Sequence, residues 1–236
     1  VKSLAPLACK NGAKRAAEEL LKIGEHYGRP EFVVEAAKSL MDFVSIAGDD
    51  LKEFDTYLAL YEKYSKWRSM EERAQIYVDK LKTPFAKKKS LQKEYKALAQ
   101  QFVEELDPYA GVIASHQFHV CYFSLKSLQY FVGAQYSLAS AVHDEAIHYF
   151  KARPYSCNNS LNIFYYLEIG NCVYLSQYER GRNYFQNAVE MASAGSVNWF
   201  NTLELGFYLR MHEHDYAGAA DLYVMATRHK RFNVLR

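Results

Sequence analysis

The histidines of this 236-residue chain are the side chains best suited to bind a metal or to transfer a proton near neutral pH. Two histidines on one helix can share a metal only when they are three or four positions apart in the sequence. His143 and His148 are five residues apart, and His212 and His214 flank a predicted helical turn, where they diverge. These spacings predict no metal site.

One pair, His116 and His119, does share a helical face. It lies in an apolar stretch without an acidic neighbour, so packed or surface rings are favoured over ligands. An all-α enzyme with a buried polar site near His116, His119 and His143 is kept as one functional hypothesis. A closed pocket with converging histidines and carboxylates would support it.

The cysteines give no sign of a redox or nucleophilic site. None of them forms a CxxC pair, and a chain of this length can bury a core without disulfides, so free buried thiols in a reducing compartment are expected. The four residues are Cys9, Cys121, Cys157 and Cys172. GxGxxG, GxxxxGK[ST] and GxSxG motifs are absent. We therefore predict no catalytic residues, no metal and no cofactor.

Composition and charge are those of an ordinary globular protein. Half of the residues are apolar, 24% are charged, and the net charge is +2. The basic clusters Lys87–Lys89 and Arg228–Arg231 are short, and acidic residues close to Lys87–Lys89 cancel part of its positive field. We therefore expect no direct nucleic-acid binding. No apolar run reaches the ~18 residues of a membrane span, and Lys10–Lys22 lacks the apolar core of a signal peptide. A cytoplasmic location is expected.

The elements that would position these side chains are all helices. Apolar residues recur at helical spacing, and Gly, Pro and capping patterns separate the segments. We expect about 11 or 12 antiparallel helices and no strand. The predicted segments are Asn11–Gly28, Pro30–Gly48, a helix from Asp49, one from Ser69, Ser90–Leu106, one from Asp107 that contains the buried stretch Val112–Phe131, and Asp144–Lys151.

The chain divides at Thr83–Lys89, where Pro84 and three lysines predict a loop. Residues 1–82 are expected to form N-terminal hairpins from degenerate repeats. Residues 90–236 are expected to form a second helical region.

The clearest internal repeat lies in Ile163–Thr227, where one helical hairpin is written twice. Segments 163–194 and 200–229 share paired positions: Gly170 with Gly206 at an offset of 36 residues, and Tyr178 with Tyr216, Phe185 with Tyr223 and Ala188 with Ala226 at 38. Asp144–Lys151 looks like the second helix of a preceding unit, since Ala146 and Phe150 precede Gly181 and Phe185 by 35 residues. A period of this length is typical of stacked helical repeats.

At these positions the chain resembles the tetratricopeptide repeat family. The turn after the first helix appears one residue short in the first copy and one long in the second, and the family's proline after the second helix is absent. The resemblance implies a right-handed superhelix, or α-solenoid, of antiparallel hairpins. It also implies that Gly170 and Gly206 let the paired helix of the same hairpin approach closely, with small residues and aromatics filling the remaining space.

The first helix of each unit is expected to carry the partner site. If Tyr166, Gly170 and Val173 face the sister helix, the opposite face is too apolar to be left in water. Either a flanking helix buries that face, or it forms a groove for an extended or helical peptide. The candidate groove residues are Phe164, Leu167, Glu168, Asn171, Tyr174, Phe200, Leu203, Glu204, Phe207 and Arg210.

The family resemblance adds detail to this site. Asn171 matches a position whose side chain can bond the backbone of a bound peptide. Apart from Arg210, the first helices lack the Lys and Arg of a carboxylate-binding site, so capture of a peptide C-terminus is disfavoured. The sequence thus favours a non-catalytic interaction or scaffold module that binds a protein or peptide, with homodimerisation open. The alternatives are the enzyme above and the sensing half of a transcriptional regulator whose DNA-binding domain lies outside this sequence.

Overall fold

The computed structural model describes residues 4–47, 50–85, 92–153 and 158–232, and the only regular elements in these ranges are α-helices. The all-α prediction is thereby confirmed. The helices are α1 (Leu4–His26), α2 (Pro30–Ala47), α3 (Leu51–Phe85), α4 (Gln92–Ala110), α5 (His116–Val132), α6 (Tyr136–Lys151), α7 (Asn158–Tyr174), α8 (Tyr178–Met191), α9 (Val197–His212) and α10 (Tyr216–Arg228).

The helices form two compact units. Unit 1 comprises Val1–Lys88 with Gln101–Tyr122, and unit 2 comprises Lys89–Gln100 with Phe123–Arg236. Helices α4 and α5 each contribute residues to both units. Within the described ranges, no helix combines the length and apolarity that crossing a membrane requires.

Unit 1 is built on a hairpin of α1 and α2 that packs along α3. Gly24 allows the close approach of the hairpin helices, because a Cβ atom there would lie 2.7 Å from Cγ2 of Val33. Val33 and Tyr64 then form a buried cluster against which Trp67 packs. The long α3 is therefore held along one side by apolar contacts.

Helix α3 corrects the prediction of two helices divided at Ser69. It runs unbroken from Leu51 to Phe85, although Ser69 and Glu72 match a capping box. No Gly or Pro lies between Leu51 and Thr83, so nothing in the backbone stops the helix at a single serine. Pro84 lies in the last turn instead of breaking the helix before it. The rest of the predicted loop, residues 86–89, lies outside the described residues.

Pro108 gives a second correction. A new helix was expected from Asp107, yet α4 continues through Pro108 to Ala110, and α5 begins only at His116. One proline in the last turn removes a single backbone hydrogen bond, and the helix ends two residues later. Val112, expected in the buried stretch, is 64% exposed in the connection.

Three hairpins of unit 2 close with the same turn. Each pair is joined by three residues, 133–135, 175–177 and 213–215, and the middle residue has a positive φ of 54°, 55° and 63° in turn. In each turn the N–H of the third residue donates to the carbonyl five residues back, as in Gln177 to Cys172 at 2.9 Å. This is a Schellman motif, here with Ala134, Ser176 and His214 where glycine is usual.

The shared turns fix the alignment of the repeats and correct two predicted pairings. Tyr136, Tyr178 and Tyr216 each begin the second helix, so the offsets are 42 and 38 residues. Because the turns are equally long, Gly206 corresponds to Glu168 and not to Gly170. By the same alignment, Gly181 corresponds to Ala139 and not to Ala146.

Glycine packing agrees with the new alignment. A Cβ atom on Gly206 would collide with the ring of Phe185, so α9 can approach α8 only because this residue has no side chain. A Cβ atom on Gly170 would meet nothing within 4 Å. A close approach of the sister helix was predicted for both glycines, but Gly170 meets no close neighbour, and Gly206 lies against Phe185 of α8, in the preceding hairpin.

Candidate functional site

Unit 2 contains one inter-hairpin contact that occurs twice with different chemistry. We define it as the contact between the second helix of one hairpin and the first helix of the next. Between α8 and α9 it consists of Phe185 against Gly206. One repeat earlier, between α6 and α7, the corresponding residues are His143 and Glu168, whose Nδ1 and Oε2 atoms are 2.6 Å apart. An apolar contact in one repeat is thus replaced by a buried polar pair in the other.

The polar pair is enclosed and fully engaged. His143 and Glu168 have almost no exposed surface. A carboxylate only accepts hydrogen bonds, so Nδ1 of His143 donates to Glu168, and the hydroxyl of Ser127 lies 2.5 Å from Nε2. The hydroxyl of Ser140 donates to the other oxygen of Glu168 at 2.5 Å, and Arg180 donates to the same oxygen at 3.1 Å.

Arg180 connects the buried pair to the surface. Its NH2 group is 2.8 Å from both carboxylate oxygens of Asp144, while its Nε atom reaches Glu168. The hydroxyl of Tyr184 also donates to Asp144 at 2.8 Å. Helices α6, α7 and α8 are therefore joined by one continuous polar network.

The network controls the protonation of its members. Burial raises the pKa of Glu168, but hydrogen bonds from His143 and Ser140 and the positive charge of Arg180 outweigh burial, so the pKa lies below its ordinary value. Burial, followed by the negative charge of Glu168, raises the pKa of Cys172 to about 12. Cys172 is thus a protonated, free and buried thiol.

Ser127, His143 and Glu168 stand in the order nucleophile, base and orienting carboxylate. The side chain of Ser127 is buried, and neither groove described below is lined by any of these three residues. The other histidines of the enzyme hypothesis, His116 and His119, belong to unit 1. In the part of the chain that the structure describes, no cluster of three or more potential metal ligands occurs.

The first five candidate groove residues are divided by burial. Phe164, Glu168 and Asn171 are completely buried. Phe164 stacks on Phe150 at 5.7 Å between ring centroids, and Nδ2 of Asn171 donates to the carbonyl of Tyr136 at 2.8 Å. These side chains bind the hairpins together. The face of α7 that is more open carries Leu167 and Tyr174, together with Tyr166 and Gly170, which were expected to face inward.

The other five candidates lie on α9, and four of them line a groove of about 570 Å³ between α9 and α10, the α9–α10 groove. These four are Phe200, Leu203, Glu204 and Phe207. The fifth, Arg210, is half-buried and paired with Asp215. The structure thus brings the second set together on one surface, although Leu203 is almost fully buried beneath it.

Tyr223 relates the α9–α10 groove to the inter-hairpin contact of the preceding repeat. It corresponds to Phe185, which is 8% exposed beneath α9, whereas Tyr223 lines the α9–α10 groove and is 61% exposed. Helix α10 therefore presents the aromatic residue of a third inter-hairpin contact. The described residues do not include a following helix that would pack against it. The sequence signal for Tyr223 is its pairing with Phe185 at an offset of 38 residues.

A smaller groove of about 100 Å³ lies between α7 and α9. Amide side chains are half of its lining residues, and sequence analysis did not identify it. Its lining includes Asn162, Asn198 and Asn201, and Asn201 also lines the α9–α10 groove. The Oδ1 atom of Asn162 is buried without a hydrogen-bond partner. The two grooves together form a surface with an apolar part and an amide-rich part.

Known proteins give no independent assignment of this surface. No protein-family model, no curated protein and no solved structure matches the chain.

Proposed function

We propose that this chain is a non-catalytic interaction module that binds a protein partner in the α9–α10 groove. One observation carries the proposal: aromatic and aliphatic side chains line an open groove of about 570 Å³. A contiguous exposed apolar surface of this kind is typical of an interaction site, whereas a face that stays in water is mainly polar. The groove is supported by α7 and α8, which pack directly on α9.

Repeat architecture supports the same function. We infer that the hairpins of unit 2 stack as a right-handed solenoid resembling tetratricopeptide repeats. In such arrays, each repeat buries its apolar face against the next, and an end repeat that stays solvated has a polar outer face. The outer face of the α9–α10 hairpin is apolar instead, with Tyr208, Tyr223 and Met225 all largely exposed. A protein partner would cover this face.

A peptide-display selection against the full chain tests the proposal. Binders are selected without bias, and their Kd values are measured for wild type and for Tyr223→Asp. A charge in the middle of the groove should weaken binding by roughly 30-fold, the effect of losing one interface hot spot. The matched control is Ile76→Asp in unit 1, because Ile76 is also 61% exposed but lies outside the groove.

Binding that survives Tyr223→Asp, or that both variants weaken equally, would contradict the assignment of the groove. Circular dichroism of each variant shows whether the fold is intact. Since both side chains are largely solvated, neither substitution should unfold the protein.

A further inference from the structure

The repeated inter-hairpin contact identifies the kind of partner that the α9–α10 groove fits. We propose that the groove receives one amphipathic helix of a partner protein, packed as α9 packs on α7 and α8. A small residue of that helix lies against Tyr223, and a basic side chain lies beside Glu204. This inference rests on the proposed function and specifies its ligand.

The chain itself shows what covers such a surface. Four groove residues have an equivalent 38 residues earlier that is buried in the body of unit 2. The pairs are Leu203 with Tyr165, Phe207 with Ile169, Tyr223 with Phe185, and Ala226 with Ala188. Helix α9 packs on both helices that carry the earlier set. A helix is therefore the occupant for which this arrangement of side chains is built.

The dimensions of the groove also suit a helix. On α9 the lining residues run from Val197 through Asn201 and Glu204 to Tyr208, one stripe along three turns. At 1.5 Å per residue this stripe is about 16 Å long, which matches about 11 residues of a helix lying beside it.

Charge distinguishes a different protein from a second copy. Among the groove-lining side chains that the structure describes, Glu204 is the only one with a full charge. An antiparallel, symmetric contact centred on α9 would bring two Glu204 carboxylates together, since Glu204 is at the middle of Val197–His212. Like charges at the centre of an interface disfavour association. A partner helix with Lys or Arg at this point would instead neutralise Glu204.

The contacts of α9 give the spacing expected in the partner helix. Thr202 of α9 lines the small groove beside Tyr166 of α7, and Tyr166 is the equivalent of Glu204 one repeat earlier. Four residues after Thr202, Gly206 lies against Phe185. Three residues beyond that, Leu209 packs where a Cβ atom on Gly181 would lie 2.8 Å away. Transferred by one repeat, the partner pattern is a basic residue, then a small residue four positions on, then an apolar residue three positions after it.

Two display libraries of equal length test this inference on the full chain. One is built on a helix-forming scaffold with randomised positions, and the other has proline at every fourth position, which prevents a helix. We expect binders from the helical library with the basic, small and apolar spacing. Their Kd should increase about 10-fold in Glu204→Gln, and Glu204→Arg should shift the selected residue from Lys or Arg to Asp or Glu.

The outcomes separate the inference from the proposed function. Binders from the proline library that Tyr223→Asp eliminates would mean that the groove binds extended peptide, so the helix inference fails while the proposed function stands. If neither library yields a binder sensitive to Tyr223→Asp, both fail. Self-association in sedimentation velocity that Tyr223→Asp abolishes would identify a second copy as the occupant and would overturn the inference.

Discussion

Gly206 and Gly170 both lie inside helices of unit 2, but their surroundings differ. Gly206 is required for the contact with Phe185, whereas a side chain at Gly170 would meet open space in the middle of α7. Gly170→Ala should stabilise the protein by about 0.5–1 kcal/mol, because alanine loses less backbone entropy in a helix. Gly206→Ala should destabilise it by about 1–3 kcal/mol through overpacking.

Urea unfolding of both variants measures this difference, and each variant is the control for the other. Gly→Ala changes helix propensity in the same direction at both positions, so helix propensity alone cannot explain opposite effects on stability. Stabilisation by both substitutions would show that α9 can move away from α8 without cost.

The pair His143 and Glu168 should behave as the polar version of Phe185 and Gly206. Either His143→Phe or Glu168→Gly alone leaves a buried polar group without its partner, which costs roughly 1–3 kcal/mol. The double substitution should be less destabilising than the sum of the single effects, with a coupling of about 0.5–3 kcal/mol. A double-mutant cycle from urea unfolding measures the coupling, and a value near zero would reject the equivalence of the two contacts.

The pH dependence of stability should report on Glu168. Its pKa is lower in the folded protein than the ordinary value of about 4.3, so the folded state binds fewer protons than the unfolded state in this range. The contribution of Glu168 to stability is complete above about pH 5 and is lost as the pH falls through the folded-state pKa.

Comparison with Glu168→Gln isolates this contribution from other carboxylates. The denaturant midpoint of wild type should fall more steeply than that of the variant between about pH 5 and 3. Parallel curves for the two proteins would show that Glu168 titrates normally.

The burial of Glu168 illustrates what the sequence could not provide at the scale of single residues. A glutamate in a helix is ordinarily solvated, and its partner His143 lies 25 residues away on another helix. Aligning Gly170 with Gly206 also rotated the predicted faces of α7, which placed Glu168 and Asn171 on the open side. On α9, Phe200, Glu204 and Phe207 line one groove, whereas Gly206 lies against Phe185 of α8 and not against the sister helix.

At the scale of elements, the hairpin turns are the feature that repeats most closely. Ala134 and Ser176 hold positive φ values that cost a non-glycine residue roughly 1–2 kcal/mol. Ala134→Gly and Ser176→Gly should remove that cost, less the ~0.5–1 kcal/mol of backbone entropy that glycine loses on folding. Each substitution should therefore stabilise the protein by about 0.5–1 kcal/mol.

Gly28 supplies the control, because it occupies the corresponding position between α1 and α2 with a φ of 60°. Gly28→Ala should destabilise the protein, and differential scanning calorimetry of the three variants measures both directions. A lower Tm for Ala134→Gly and Ser176→Gly would mean that the left-handed residues are not strained.

Helix boundaries show why element prediction succeeded in part. Gly28 and Pro30 separate α1 from α2 because together they supply a left-handed residue and a fixed φ at the start of the next helix. Ser69 and Pro108 carry weaker signals, and favourable packing along α3 and α4 overrides them. The turns at Ala134 and Ser176 lack glycine, so their shared geometry is visible only in the backbone.

At the scale of the whole molecule, all-helical composition followed from periodicity alone, whereas the division into units did not. Gln101–Tyr122 joins unit 1, and Lys89–Gln100 belongs with residues from 123 onward. A single cut at Thr83–Lys89 cannot express this exchange, since local sequence does not specify which distant helices a long helix will contact.

The proposed stacking of the hairpins predicts a gradient of local stability within unit 2. Helix α7 has eight buried residues, whereas the described part of α10 has two, Ala219 and Leu222. In a linear array each repeat is stabilised mainly by its neighbours, so α10, with few buried residues, should unfold locally at a lower free energy than α7. Native-state hydrogen exchange should therefore show earlier exchange in α10 than in α7.

Gly206→Ala tests whether that gradient follows nearest-neighbour contacts. Because Gly206 joins α9 to α8, the substitution should accelerate exchange in α9 and α10, with little change in α6 or in α2 of unit 1. Hydrogen-exchange mass spectrometry resolves these peptides, and Gly170→Ala is the matched control that leaves the inter-hairpin contact intact. Uniform acceleration along the chain would mean that the protein unfolds as one cooperative body. Binding at the α9–α10 groove would then stabilise every helix equally, instead of protecting the last hairpin first.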